Sequence, residues 1–506
     1  MLNEVKHLYC HKAIERNKMR NFNYQFVFNS IGLILMIESS FMLISAFVGE
    51  IYQEPSVRSL YLSSLITFSS GLALFFIGRK RRKGKRISQR EVYLTVTLVW
   101  VLMALYGTLP FLIGGAIPSF TDAFFESVCG FTTTGSSTLI NIEAFPKSLH
   151  FWRSFTQWIG GIGIIIFVMS FLPMFGGSSY HFYNAEATGI SKEQLRPRIS
   201  DITRNMSITY LALTVVGFLL LWAGPMDAFD AACHTFTSIS TGGFSTKQAS
   251  IGHFNSAYTE YVIIFLMFAG GTRFLLLFNL FRHFSGKIFK DEEFLWYAFM
   301  ILGFTFVITI ALYLEGNILG TAERTVRTVL FQVVAAITTT GYATTDFLHW
   351  GQFYWFLFLA MVLFCGSEGS TSGGMKISRL IILVKNTKVV FLRQVHPQAL
   401  YMVKINGQVY SNAVVEKVLA FVFLYLTIAG LGAIVLSFTG MSFDESIGTA
   451  VSSMSSYGFG LGNFGPSGNF STATGFAKYF LSFLMIVGRL EIFTVLSLFT
   501  ASLWKR

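Results

Sequence analysis

Four short segments of this chain end in a hydroxyl residue, one further residue and a glycine. They are Thr133-Thr134-Gly135, Thr241-Gly242-Gly243, Thr339-Thr340-Gly341 and Ser456-Tyr457-Gly458. A turn whose carbonyl oxygens face a lumen can replace the water around a bare cation. Glycine suits such a turn because it tolerates positive φ and places no Cβ in the ion path. A single triplet would carry little information, but these four lie in register. Thirteen positions before each glycine stands a polar residue (Asp122, Asp230, Thr328, Glu445), and four positions before it an apolar one (Phe131, Ile239, Ile337, Met454). The apolar stretch between is too short to cross a bilayer and reads as a re-entrant helix. Its C-terminal end carries partial negative charge and favours a cation. The carboxylates near its start, Asp122, Asp230, Glu445, Glu126 and Asp227, have two open readings: ordinary helix capping, or concentration of cations at a pore mouth.

The elements that must position these turns follow from their spacing. The glycines are 108, 98 and 117 residues apart (243−135, 341−243, 458−341). That leaves room for one span out, one span in and a loop, and repetition of this kind marks one unit used several times. Apolar runs at 25–48, 58–78, 93–117 and 203–223 are long enough to span. The chain is 53% hydrophobic and 13% charged, far below the roughly 25% charge of soluble domains. The first apolar run is too long for a signal-peptide core and has no small-x-small cleavage site, so it reads as a retained span.

Basic residues gather at Met1–Tyr24, Arg79–Arg90, Lys192–Arg204, Arg282–Lys290, Lys385–Lys417 and Lys505–Arg506, which hold about 27 of the 38 Lys plus Arg. This is the distribution of cytoplasmic segments, and it excludes a soluble nucleic-acid-binding domain. Two leading spans and four pairs make ten, with both termini cytoplasmic. The expected fold is an all-α integral membrane protein: a fourfold pseudo-symmetric repeat of helix, pore helix, filter loop and helix, plus two N-terminal transmembrane helices. The division runs 1–92 (N-terminus and leading spans), 93–195, 196–290, 291–405 with a broken gating helix, and 406–506. Non-helical backbone at membrane depth must be buried in protein or line a water-filled cavity. Four such segments imply a pore.

The spans after the turns repeat small residues: Gly160-Gly161, Gly270-Gly271, Gly366–Gly374 and Gly488. The first two read as close helix packing. In the third, Gly366, Ser367, Gly369, Ser370, Thr371, Ser372, Gly373 and Gly374 leave only Glu368 outside the Gly/Ser/Thr set. Such a stretch cannot stay a straight helix and reads as a movable constriction. Charges within spans are costly; they are Glu38, Arg273, Glu368, Lys376, Arg379, Arg489 and Glu491. Lys376 and Arg379 read as snorkelling to the cytoplasmic face, and Glu38 as a packing residue. For Arg489 two readings stand: an electrostatic barrier beside the flexible stretch, or a structural pair with Glu491 or another carboxylate. Cys10, Cys129, Cys233 and Cys365 have neither metal-ligand spacing nor a disulfide framework, and read as small buried hydrophobes.

At these residues the chain resembles the Trk/Ktr/HKT superfamily of potassium transporters, and within it the TrkH-type membrane subunits. The motifs are GFTTTGSS (130–137), RSFTQWIGGIGIII (153–166), STGGFST (240–246), TTTGY (338–342), GSTSGGMK (369–376) and VGRLEIFT (487–494). The likeness extends over nearly the whole chain, including the two leading spans. It implies that Gly135, Gly243, Gly341 and Gly458 form a potassium filter with the two residues before each. It also implies an intramembrane gating loop at Gly366–Gly374 with Lys376 beside it and Arg489 facing it. Glycine at the first filter position goes with potassium preference, serine with sodium preference. The resemblance further implies potassium uptake across a bacterial inner membrane without an organic cofactor. It implies a homodimer with one pore per protomer, and a cytosolic TrkA-type ring of nucleotide-binding domains as partner. Two residues depart from the pattern: Glu368 stands where small neutral residues are usual, and Arg273 where a small polar one is. The fourth turn is the least regular.

Two other function classes find less support. A membrane enzyme would need a constellation such as H-E-x-x-H or G-x-S-x-G, and neither occurs. A sensor reusing a dead pore would not need four intact glycine turns. Within transport, a less selective or sodium-coupled carrier of the same fold stays open, with no carboxylate–histidine relay along the spans to favour ion coupling.

Overall fold

The computed structural model describes residues 22–79, 88–175, 195–283 and 286–504. Cys10 and the basic residues within 1–21, 80–87, 192–194 and 505–506 lie outside the described residues.

The chain opens with two long helices, α1 (Tyr24–Ile51) and α2 (Val57–Gly78), followed by α3 (Gln89–Gly107) and its short extension α4 (Leu109–Ile113). Asn23 starts α1 by accepting the Phe26 N–H on its side chain. The Glu91 carboxylate accepts backbone N–H groups from both Ser88 and Asn23, at 2.7 Å each, and so ties α3 to α1. After that the order long helix, short helix, turn, second long or interrupted helix recurs. The short helices are α5 (Phe120–Phe131), α8 (Ala228–Ile239), α12 (Ala322–Ile337) and α16 (Phe443–Ser455). Between and after them lie α6 (Lys147–Phe175), α7 (Leu195–Trp222), α9 (Ala257–Gly271), α10 (Phe274–His283), α11 (Glu292–Leu314), α13 (Gln352–Leu363), α14 (Ile377–Val395), α15 (Asn412–Ser437), α17 (Gly475–Arg489) and α18 (Ile492–Leu496).

Among the described residues six helices are long and apolar enough to cross a membrane, and two further pairs, α9/α10 and α17/α18, pass the same test with bends of 109° and 112°. The ten spans expected from the sequence would also need α6 and the interrupted α13/α14, which are not among them. The chain is a multi-pass membrane protein. The two bends were not anticipated, because the composition marked only Gly366–Gly374 as a break. Helix α9 stops at Gly270-Gly271, where Thr272 turns extended, and α17 stops before Glu491, whose φ is +59°. The break is therefore shared by the second arms of units 2, 3 and 4.

Polarity is distributed inside out relative to a soluble protein. Phe299, Leu302 and Phe306 on α11 and Phe423 and Ile434 on α15 are exposed, whereas Thr133, Thr134, Thr241, Thr339 and Thr340 are buried. An apolar rim around a polar centre suits hydrocarbon outside and an ion path inside. Cys129, Cys233 and Cys365 are buried free thiols. Two two-residue ladders complete the fold: β1 (Phe364–Cys365) runs parallel to β2 (Met375–Lys376), and β3 (Lys404–Ile405) pairs antiparallel with β4 (Gln408–Val409) across an Asn406-Gly407 turn with both φ positive.

Candidate ion pathway

Each short helix begins at a hydroxyl or carboxylate cap: Ser119, Asp227, Thr321 and Ser442 accept the N–H three residues on. The acids thirteen before the glycines sit inside the first turn and are engaged locally. Asp122 accepts Lys478 Nζ at 2.6 Å, and Asp230 accepts Thr246 Oγ1 at 2.6 Å and pairs with Lys247 at 3.2 Å. Glu445 closes a capping box with Ser442 and accepts both N–H groups of Asn463. Glu126 is fully buried in an ion pair with Arg153 rather than at a mouth. Capping and ion pairing therefore account for these carboxylates. Helix α12 starts earlier than its counterparts, so Thr328 falls in its interior.

The C-terminal ends are alike in all four units. The hydroxyl residue two before each glycine is left-handed, with φ of +53° at Thr133, +52° at Thr241, +57° at Thr339 and +57° at Ser456. Its N–H returns to the carbonyl five before the glycine, and the next N–H returns to the carbonyl six before it: Thr134 to Cys129, Gly242 to Thr237, Thr340 to Ala335 and Tyr457 to Ser452. This pair of crossed bonds closes the helix and satisfies two carbonyls of its last turn. The glycines then take positive φ themselves, +85°, +79°, +72° and +95°. Tyr457 adopts the same turn as Thr134 and Thr340, so the irregular fourth sequence is regular in backbone.

The turns form a closed ring. A Cβ placed on Gly135 would fall on the carbonyl oxygen of Gly242, one on Gly243 on that of Thr340, one on Gly341 on that of Tyr457, and one on Gly458 on that of Thr134. Each glycine is thus pressed against the residue before the next glycine, in chain order, and the fourth returns to the first. Gln157, which the sequence reading did not single out, supports the second turn. Its Nε2 donates to the Gly242 carbonyl at 2.7 Å and its Oε1 accepts the Phe244 N–H at 3.1 Å.

Beneath the ring, the small residues of the second arms meet the short helices at their ends. A Cβ on Gly160 would strike the Phe131 carbonyl, one on Gly270 the Ile239 carbonyl at 2.9 Å, and one on Gly488 the Met454 carbonyl. In unit 3 the Gly366 N–H donates to the Ile337 carbonyl at 3.0 Å. These are the four apolar residues of the sequence register. Close packing is the role of Gly160 and Gly270, as expected.

The stretch Gly366–Gly374 is non-helical and folds under the ring. Thr371 Oγ1 donates to the Ile239 carbonyl at 2.8 Å, and the Gly373 N–H donates to Thr339 Oγ1 at 2.8 Å. Arg489 is buried; its Nη1 donates to the Thr371 carbonyl at 2.8 Å and its Nη2 to the Gly160 carbonyl at 3.4 Å. Glu491 pairs instead with Arg379 at 2.7 Å, so among the described residues Arg489 has no carboxylate partner. Lys376 folds back, donating Nζ to the Ser372 carbonyl, rather than snorkelling outward. The two departures from the family pattern meet: Arg273 pairs with buried Glu293 and donates Nε to the Glu368 carbonyl at 3.3 Å, while Glu293 accepts the Glu368 N–H at 2.6 Å. Glu293 was missed because nothing in the sequence near Glu292-Glu293 distinguishes it from a helix-start acid. Glu38 is buried, with neither carboxylate oxygen hydrogen-bonded among the described residues.

Residues 63–506 match the family TrkH, described as cation transport protein. The chain is 34% identical over 479 residues to the Trk system potassium uptake protein TrkH of Escherichia coli K12, covering 94% of this chain and 98% of that protein. It is 29% identical to the Trk system potassium uptake protein TrkG of the same organism, covering 96% and 100%. The crystal structure of the potassium transporter TrkH from Vibrio parahaemolyticus superimposes with a TM-score of 0.87 at 31% identity, covering 96% of this chain and all of that one.

Proposed function

Because this chain belongs to the TrkH family of cation transport proteins, we propose that it is the membrane subunit of a Trk-type potassium uptake system, with its filter at the four glycine turns. The observation that carries this reading is the closed ring of turns around Gly135, Gly243, Gly341 and Gly458. Within each triplet φ alternates from positive to negative to positive. Such alternation turns successive carbonyls to one side, which suits oxygens replacing the shed water of a potassium ion. The residues of this filter are Thr133, Thr134, Gly135, Thr241, Gly242, Gly243, Thr339, Thr340, Gly341, Ser456, Tyr457 and Gly458. At its inner end the hydroxyls of Thr133 and Ser456 are buried without a hydrogen-bond partner among the described residues, an arrangement that suits facing an ion.

Gly366–Gly374 is the gate. Thr371 and Gly373 sit against the second and third turns, a placement that supports an obstructing role for the loop. Arg489 holds the loop by the Thr371 carbonyl and sets a positive charge in the route, a barrier to cations. Opening withdraws the loop, and the membrane voltage drives potassium inward. The distribution of basic segments supports a reading with both termini on the cytoplasmic side of a bacterial inner membrane. The family resemblance extends the reading to a homodimer with one pore per protomer, regulated by a cytosolic TrkA-type ring.

Rubidium uptake into proteoliposomes, with potassium and sodium as competitors, tests the reading. Saturable uptake inhibited by potassium far more than by sodium is expected. Absence of uptake, or equal inhibition by both ions, would overturn it, and dependence of uptake on sodium or protons would replace voltage-driven permeation by coupled transport.

A further inference from the structure

Nine positions before each filter glycine stand Glu126, His234, Gln332 and Thr449. Three of these side chains reach over the turn to the strand that leaves it. Glu126 accepts Ser137 Oγ and the Thr138 N–H, both at 2.9 Å. His234 Nδ1 lies 2.8 Å from the Asp230 carbonyl, which can only accept, so Nδ1 carries the hydrogen and Nε2 accepts from Ser245 Oγ at 3.0 Å. Gln332 Nε2 donates to the Thr345 carbonyl at 3.1 Å. Thr449 is too short for this and donates its hydroxyl back to the Glu445 carbonyl at 2.7 Å. Ser137 and Ser245 occupy the same place, two residues past their glycines.

Unit 1 alone among the four uses an ion pair here. Glu126 Oε1 and Arg153 Nε are 2.6 Å apart, with side chains no more than 2% exposed. Arg153 reaches on to unit 2: its Nη1 donates to the Ser245 carbonyl at 3.1 Å and its guanidinium lies 3.4 Å from the Phe244 ring centroid. One helical turn later Gln157 grips Gly242 and Phe244. The pair therefore fastens the outgoing strands of turns 1 and 2 to each other, at the point where Gly135 abuts Gly242.

Resting on the potassium-filter reading, we propose that Glu126 and Arg153 are positioning residues that determine ion specificity by fixing the spacing between the first two filter strands. Discrimination against sodium needs oxygens that cannot close in on a smaller ion. A directional buried ion pair, whose two members also hydrogen-bond the outgoing strands of turns 1 and 2, resists that closure, whereas the neutral braces of units 2 and 3 are weaker.

The test uses the full chain in proteoliposomes and reads two quantities, the maximal rubidium uptake rate and the ratio of sodium to potassium inhibition constants. Glu126→Gln is expected to reduce that ratio about tenfold, the effect of losing roughly one charge-assisted hydrogen bond, and Ser137→Ala to reduce it less. Loss of folded protein lowers the maximal rate without moving the ratio. An unmoved ratio in Glu126→Gln would overturn the proposal; if that variant yields no protein, an unmoved ratio in Ser137→Ala would do so. Wild-type protein that carries no rubidium would overturn the filter reading and this inference together, while wild-type uptake with unmoved ratios in the variants overturns the inference alone.

Discussion

At Gly135 two independent constraints coincide. Its φ of +85° disfavours any side chain, and the missing Cβ is the space taken by the Gly242 carbonyl. Gly135→Ser must therefore push that carbonyl away from its place in the ring. The expected result is about a tenfold loss of potassium-over-sodium discrimination, equivalent to some 1.4 kcal/mol at one coordinating oxygen, with rubidium uptake retained; competition assays read it directly. Arg489 differs, since among the described residues its bonds go to carbonyls and none to a carboxylate. Arg489→Ala removes the charge and the grip on Thr371 together. Cation flux is expected to rise about fivefold for the loss of roughly 1 kcal/mol of hold on the closed loop; flux equal to that of the wild type in loaded vesicles would refute the barrier.

The loop Gly366–Gly374, the proposed gate, is held at tip and root by different chemistry. Its tip rests on neutral hydrogen bonds from Thr371 and Gly373, each worth about 1 kcal/mol, which a conformational change can exchange. Thr371→Val loses one of them and is expected to raise basal rubidium leak by up to about fivefold, measured without any regulator. The root is fixed by Arg273, Glu293 and the backbone of Glu368. Arg273→Met leaves the buried Glu293 carboxylate without its cation, a loss of about 3–5 kcal/mol. The melting temperature in detergent should fall clearly, and Glu293→Gln in the same chain should recover most of it; no recovery would mean that Arg273 acts through packing alone. Half of this was legible beforehand. The Gly/Ser/Thr run announced a broken helix because propensity is a local property, but its partners lie at the end of α8, in the third turn, between α9 and α10, on α11 and on α17, and have no trace in the loop's own sequence.

Over the whole molecule, the last unit must return to the first for the ring to close. Lys478 on α17, nearly buried, reaches Asp122 at the start of α5 at 2.6 Å, and Met485 packs its sulfur 3.6 Å from Cys129 Sγ. Asp122→Asn strands the Lys478 charge and is expected to cost about 1–3 kcal/mol of stability, less than for a fully buried pair because Asp122 keeps some solvent. Lys478→Met in the Asp122→Asn chain should restore the melting temperature, and its failure to do so would remove this pair from the closure of the ring.

The amino-acid sequence determined the membrane class, the fourfold register, the turns and the broken third arm, because each rests on short-range rules: hydrophobic length, hydroxyl and glycine placement, and crossed hydrogen bonds spanning five residues. Tertiary structure alone decided which carbonyl each glycine faces, that Arg489 holds the loop while Glu491 goes to Arg379, that Glu126 serves a buried brace instead of a mouth, and that α9/α10 and α17/α18 bend. Those outcomes depend on groups far apart in the chain competing for the same partners in a low-dielectric interior, where an unpaired charge is expensive and packing assigns the match.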